Sequence, residues 1–418
     1  MSLPPLPSSH SDPLSPPPAR AADLASIPAV LADLQAGRMV VLIDDEDREN
    51  EGDLVCAAQH ITPEIVNFML REARGVLCVA LTPEACDRLN LYPQAASNTA
   101  ALGTAFTISV DGHARFGVTT GVSAVERART INLLIDPRTK AEDLARPGHI
   151  FPLRARPGGV LERTGQTEGS VDLSRLAGLI PAGVIIEIMA EDGSMARRPE
   201  LETFCRKHDL KMCSIADLVQ YRLQTETLIT RLGSYALPTE LGRFDVHVYQ
   251  TQGDPLIHLA LTVGPLGQRQ GGAGGGKPMV CAEPTLVRMH TENLLGDVFH
   301  AGFTRSGQEL HQAMRMIQAA GRGALVYLRQ ESRGVALLDR LQNLEPLKQN
   351  SGTPGSGLAA SGAMSARDSQ SRRDVGIGAQ ILRDLGLTQL RVLTNHPKQY
   401  HALEGFGLRV VEQVAIPE

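Results

Sequence analysis

The stretch MVVLIDDEDRENEGD at 39–53 decides how the chain is read. Its first part, MVVLID at 39–44, is a short aliphatic run with β-branched residues, the pattern of a buried strand. Its second, DDEDRENEGD at 44–53, carries seven acids in ten positions. On charge alone such a run reads as a solvated face. Its placement directly after a strand offers a second reading, because ligands of α/β proteins gather at the carboxyl ends of strands. Arg48 among the carboxylates suits a site shared by a phosphate and a divalent cation, and Mg²⁺ prefers hard oxygen ligands, usually one or two carboxylates plus substrate oxygens.

Working outward, strands and helices alternate. Ser26 and Pro28 open a helix with apolar Val30, Leu31 and Leu34 that stops at Gly37, and Thr62 and Pro63 open another that stops at Gly75. VLCVALT at 76–82, TAFTISVDG at 104–112 and PAGVIIEIM at 181–189 read as strands, and SIADLVQYRL closes a first unit near 222. The fold class is therefore mixed α/β in two domains, 21–222 and 225–418, behind a proline- and serine-rich tail at 1–20 that reads as disordered rather than as a secretory or transit signal. Two insertions in the second half, 264–278 and 349–372, read as solvent-exposed loops. The glycines of the first do not follow phosphate-loop spacing.

Composition narrows the function classes. Of 418 residues, 42% are hydrophobic and 21% charged, with net charge −5, which provides no general attraction to nucleic acid or anionic membrane. No apolar run is long enough to span a bilayer. Six scattered cysteines without C-x-x-C spacing fit a reducing cytoplasm better than a disulfide framework.

Two further features carry chemistry. The segment 145–179 is dense in turn-forming glycine and proline and holds His149, which reads either as a satisfied structural histidine or as a catalyst. Glu187 lies in an otherwise apolar strand, a costly place for a carboxylate unless it is paired or neutral, and one that suits a tuned acid or base.

IDDEDRENEGDLV, TAFTISVD, TTGVSAVERARTI, RPGHIFPLRARPGGVL and LAGLIPAGVIIEI, in this order, resemble the 3,4-dihydroxy-2-butanone 4-phosphate synthase family. The resemblance implies a homodimeric α/β enzyme that converts ribulose 5-phosphate to 3,4-dihydroxy-2-butanone 4-phosphate and formate with Mg²⁺ or Mn²⁺. It implies that Glu49 binds the metal, that Arg48, Glu49 and Asp53 contact substrate, and that His149 and Glu187 are essential to catalysis. Arg163, Thr164, Gly165, Gln166 and Thr167 would lie along the substrate; apart from the resemblance, Arg163 and the Thr120–Ser123 turn are candidates for holding its phosphate. Proton shifts beside a carbonyl need acid/base groups and a cation that stabilises enediolate charge. One departure falls at the metal. Where the family reads R-A-G-H-T-E-A with histidine as ligand, this chain reads RTGQTEG, which makes Gln166 the expected second ligand through its carbonyl oxygen.

PTELGRFDVHVY, LVRMHTENLLGDVF, ALVYLRQESRGVALLDRL and VGIGAQILRDLGL with VLTNHP resemble the GTP cyclohydrolase II family. Its three zinc cysteines correspond to Asn293, Thr304 and Ser306, and Cys281 is the lone cysteine of this half, so zinc is not expected. Ser371, two positions before Arg373, stands where the family has a proton-accepting aspartate, while Arg288, His290, Thr291 and Glu292 retain nucleotide-contacting positions. The leading expectation is a synthase joined to an inactive cyclohydrolase-like domain. The alternatives are a bifunctional enzyme and a regulatory pseudoenzyme.

Overall fold

The computed structural model describes residues 24–45, 48–100, 102–251, 256–270, 276, 278–302, 304–329, 363–396, 403 and 405–417, with the backbone alone for 363–373. The expected tail at 1–20, residues 271–275 and residues 349–362 lie outside the described residues.

Among the described residues two seven-stranded sheets form, one from each half of the chain. The first half runs α1 (Ile27–Gln35), β1 (Val40–Ile43), β2 (Gly52–Ala57), α2 (Pro63–Glu72), β3 (Cys78–Leu81), α3 (Pro83–Arg88) and β4 (Val110–Gly112). It continues through α4 (Ala124–Ile135), β5 (Leu144–Arg154), α5 (Gln166–Leu176), β6 (Ala182–Glu187), α6 (Arg198–His208), β7 (Lys211–Ser214) and α7 (Ile215–Thr225). Its sheet order is β4-β5-β3-β6-β2-β1-β7. The second half holds β8 (Ile229–Thr239), β9 (Gly242–Thr251), β10 (Ile257–Val263), β11 (Thr285–Thr291), α8 (Leu294–Asp297), α9 (Ser306–Ala319) and β12 (Gly323–Leu328). After these come α10 (Ala363–Asp384), β13 (Gln389–Leu393) and β14 (Arg409–Val414), in the sheet order β14-β13-β11-β12-β10-β9-β8.

Local chemistry sets the helix starts. Thr62 accepts the Ile65 N–H at 3.3 Å, Thr82 the Ala85 N–H at 3.3 Å and Ser214 the Asp217 N–H at 3.0 Å, each satisfying a first-turn donor. Ser26 sits at its expected cap position, but its side chain makes no capping bond. The central strands β1, β2 and β3 are buried at every position, as strands covered on both faces must be.

Several expectations are corrected. Of TAFTISVDG only Val110–Gly112 joins the sheet, because the facing Pro152 has no N–H to extend the ladder, and 104–109 is held by single bridges such as Phe106 to Leu153. The turn-rich reading of 145–154 gives way to strand β5, whose Pro147 and Gly148 fall where its pairing with β4 is irregular. The glycine loop is not wholly exposed. Leu266 is buried and Gly267 donates its N–H to the Leu385 carbonyl at 3.0 Å. Helix α10 begins at Ala363, inside the stretch read as unstructured.

The halves meet where α10 packs on α7, and one apolar cluster runs through Leu218, Leu223, Leu228, Ile377 and Ile381.

Candidate active site

The acidic run is a β1–β2 hairpin connection wound around one carboxylate. Asp44 Oδ2 accepts from Arg48 at 2.7 Å and from the Glu49 N–H at 3.2 Å, while Oδ1 accepts the Glu51 N–H at 2.9 Å. Arg197 donates to the Glu49 carbonyl at 2.7 Å and to that of Asn50, whose left-handed backbone (φ 54°) closes the turn. The sequence reading did not single out Asp44. Its role as organiser shows only once its burial is known.

Asp53 and Glu187 are directly paired across β2 and β6. Glu187 Oε2 accepts the Val76 N–H at 2.8 Å, and a Cβ on Gly75 would lie 2.6 Å from that oxygen, so only glycine allows the approach. Burial raises the Asp53 pKa well above the usual carboxylate range, and the charges of Glu187, Glu49, Asp44 and Glu51 add to the rise. Glu51 is raised for similar reasons, burial first and Glu49 next.

Gln166 opens α5 and is buried. Arg48 spans the two expected metal ligands, donating Nη1 to Gln166 Oε1 at 2.9 Å and placing Nη2 3.1 Å from Glu49 Oε1. Both oxygens therefore already converge on one cation, as a divalent ion would require. Among the described residues no group of three His, Cys, Asp or Glu side chains is arranged to hold a metal, and the two expected ligands, Glu49 and Gln166, each offer a side-chain oxygen. That count fits Mg²⁺, which keeps waters and substrate oxygens in its shell. Gln166 Nε2 is buried without a partner, a donor that an acceptor oxygen of a bound substrate would satisfy.

His149 lies in a second group. Its Nδ1 meets Asp111 Oδ2 at 2.7 Å and its backbone N–H donates to Asp111 Oδ1 at 2.9 Å. The side chain is 46% exposed, leaving Nε2 free to meet a substrate. Asp111 was missed by sequence reasoning, for nothing in TAFTISVDG marks one acid as a histidine's partner. The Thr119–Ser123 turn packs here, tied to Glu126, whose pKa falls to about 2 because Thr119 and Ser123 donate to it. His149 and Glu187 sit two residues from Phe151 and Ile185, both partners of Cys78, which places them at one level on the strands flanking β3. Two strand spacings separate them, roughly 10 Å, so a small substrate and not a hydrogen bond must join them.

Arg163 faces inward. It pairs with Glu168 at 2.7 Å and reaches the Leu102 carbonyl at 3.2 Å and Thr104 at 3.3 Å. Thr164 lines a cavity of 210 Å³ with Asp44, Asn50, Glu51 and Arg198, and Thr167 is buried behind Gly165.

In the second half, the three positions that correspond to zinc cysteines hydrogen-bond to the protein itself. Asn293 donates to Thr304 at 3.4 Å, and Ser306 donates to Asp297 at 2.6 Å. Asp297 also engages His290 Nε2 at 3.0 Å, Tyr327 OH at 2.8 Å and the Asn293 N–H at 2.9 Å. Asn293, Thr304 and Ser306 offer neutral amide and hydroxyl oxygens where zinc takes thiolate, imidazole or carboxylate, and His290 and Asp297 beside them supply two such ligands, without a third among the described residues. Arg288 pairs with Glu309 at 2.8 Å, Thr291 ends β11, and Glu292 lies 3.3 Å from Arg329. The side chains of Ser371 and Arg373 lie outside the described residues.

Burial opposes ionisation of Asp297, but hydrogen bonds from His290, Ser306 and the Asn293 amide outweigh it and hold its pKa far below the usual value of 3.8. Its contribution to stability is thus present above that value and lost as pH falls through the acid range. Asp297→Asn is expected to cost about 2 kcal/mol at pH 7 and progressively less below about pH 4, measured by denaturant unfolding. An equal cost at both pH values would remove the carboxylate as hub.

Fold and site define a two-domain α/β enzyme with buried carboxylates and a carboxylate-held histidine gathered in its first half. The family model for 3,4-dihydroxy-2-butanone 4-phosphate synthase matches residues 28–221, and that for GTP cyclohydrolase II matches 230–415. Riboflavin biosynthesis protein RibBA of Aquifex aeolicus is 47% identical over 392 residues, covering 94% of this chain and 92% of its own. RibBA of Bacillus subtilis is 44% identical over 385 residues, covering 92% and 91%. A solved structure from A. baumannii, RibBX, a two-domain 3,4-dihydroxy-2-butanone 4-phosphate synthase, superposes with TM-score 0.72 at 38% identity over 94% of this chain and all of that one. The chain belongs to the RibBA family of riboflavin biosynthesis proteins, and it is a 3,4-dihydroxy-2-butanone 4-phosphate synthase.

Proposed function

We propose that the first half converts ribulose 5-phosphate to 3,4-dihydroxy-2-butanone 4-phosphate and formate by divalent-metal-assisted acid/base chemistry, and that the second half does not open the guanine ring of GTP. The observation that carries this reading is the Asp53–Glu187 pair facing the Arg48, Glu49 and Gln166 cluster. Atoms balance without an oxidant or added water, since the five-carbon sugar phosphate divides into a four-carbon phosphate and formate. Proton transfers drive enolisation, loss of the C1 hydroxyl as water, skeletal rearrangement and re-addition of water at the carbon that leaves as formate, so no water is consumed overall.

Asp53, whose pKa is pushed up by burial first and then by its acidic neighbours, is the acid, and Glu187 opposite it accepts the proton beside the carbonyl. His149, oriented by Asp111, moves a proton at the far end of the substrate through Nε2. Arg48 pairs with substrate oxygens once released from Gln166. Mg²⁺ or Mn²⁺ held by Glu49 and Gln166 would stabilise enediolate charge. Support for an inactive second half comes from Asn293, Thr304 and Ser306, whose side chains bond within the protein around Asp297. A homodimer in the cytoplasm completes the reading, and among the described residues no helix is long and apolar enough to cross a membrane.

The test is to incubate the purified protein and Mg²⁺ with ribulose 5-phosphate and, separately, with GTP. Formate from the sugar phosphate with GTP unconsumed is expected. No formate overturns the first part, and GTP consumption with stoichiometric zinc overturns the second. Gln166→Ala is expected to raise the Mg²⁺ concentration for half-maximal activity about tenfold or more. An unchanged metal requirement would remove Gln166 as a ligand.

A further inference from the structure

The segment 163–167 hangs between two anchors, the Gly158–Val160 backbone before it and Asp172 of α5 after it. One buried guanidinium holds both. Arg222 of α7, 6% exposed, donates Nη1 to Asp172 Oδ2 at 2.7 Å and to the Gly158 carbonyl at 2.9 Å. Asp172 Oδ2 in turn accepts the Val160 N–H at 2.8 Å, closing the unit. The other side of the guanidinium meets Glu226 in a two-pronged pair, Nε to Oε1 at 2.9 Å and Nη2 to Oε2 at 2.9 Å. A planar fork so engaged fixes the angle between its two carboxylates, which a lysine could not do.

Glu226 begins the connection to the second half, and there the second half takes hold. Gln380 of α10, 8% exposed, donates to the Leu223 and Glu226 carbonyls at 2.8 Å each and accepts the Leu228 N–H at 2.8 Å. Helix α10 approaches so closely that a Cβ on Gly376 would lie 2.7 Å from Leu223 Cδ1.

We infer that the cyclohydrolase-like domain positions the synthase's substrate segment through a buried relay, Gln380 to Glu226 to Arg222 to Asp172, that ends on α5. This gives the second half a role that needs no chemistry of its own, and it rests on reading 163–167 as substrate-contacting. Gln380, Glu226, Arg222 and Asp172 are positioning residues. A shift of α10 tilts α7, and the rigid fork passes that tilt to both anchors of the segment. Small displacements of positioning groups cost activity far out of proportion to their size.

The experiment uses the full chain. Gln380→Leu removes the hook while keeping an apolar side chain for the interface, and Arg222→Lys keeps the charge but loses the fork. Both are expected to raise KM for ribulose 5-phosphate about tenfold with kcat within about twofold, and to speed amide exchange in 158–176 about tenfold while β1 and β2 stay protected. Arg391→Ala, which breaks an exposed pair with Glu412 at the far edge of the second sheet, leaves both readouts at wild-type values. A folded Gln380→Leu protein with unchanged KM or unchanged exchange in 158–176 overturns the relay. If the wild-type protein releases no formate, the functional reading fails by itself, and exchange in 158–176 then decides the relay.

Discussion

Asp111→Asn lowers turnover about 10³-fold and leaves the fold intact. Asp111 grips His149 twice, through Nδ1 at 2.7 Å and the backbone N–H at 2.9 Å. The carboxylate can only accept, so it keeps the proton on Nδ1 and leaves Nε2 bare to take a proton from substrate. Asparagine presents an NH₂ in nearly the same volume, and the ring can then satisfy it only by moving its proton to Nε2, the wrong tautomer for a base. KM changes little if His149 acts in the chemical step alone. Steady-state kinetics across pH, with circular dichroism to establish folding, check the expectation. Turnover within a few-fold of wild type would return His149 to a structural role.

Asp53→Asn acts in two opposite directions. Activity falls about 10³-fold, because an amide cannot act as the proton donor proposed for Asp53. Stability rises. The folded protein holds this proton more tightly than the unfolded chain, so Asp53's contribution is complete below the ordinary carboxylate value of 3.8 and is lost as pH rises through the folded value. Asparagine never ionises and escapes that loss. The variant's melting temperature exceeds wild type by about 4 °C at pH 8, and the gain shrinks toward zero near pH 4. Calorimetry at both pH values decides it: a gain independent of pH would mean that folding does not raise the Asp53 pKa.

The site was legible to different depths. Arg48 and Glu187 stood out from their surroundings in the sequence, whereas Glu49, Asp53 and Gln166 were named only through the family resemblance, and the structure brings the five together around the β1–β2 connection. His149 was named too, yet it stands two strands away with a partner, Asp111, that no spacing in the sequence connects to it. Asp44 was hidden in plain view. One acid among seven carries no mark of being the one that folds inward.

Local rules explain what the sequence determined by itself: the alternation of strands and helices, starts such as Thr62–Pro63, the stop at Gly37 with its left-handed φ of 77°, and the chemistry of the acidic run. These depend on neighbours a few residues apart, where capping, proline geometry and hydrophobic period act. Only the tertiary structure decided which carboxylate is buried, which acid orients His149, and that Gln380 holds the backbone beside Arg222. Desolvation, pairing and hydrogen-bond partnership are properties of surroundings, and the surroundings of a buried group are assembled from segments far apart in the chain.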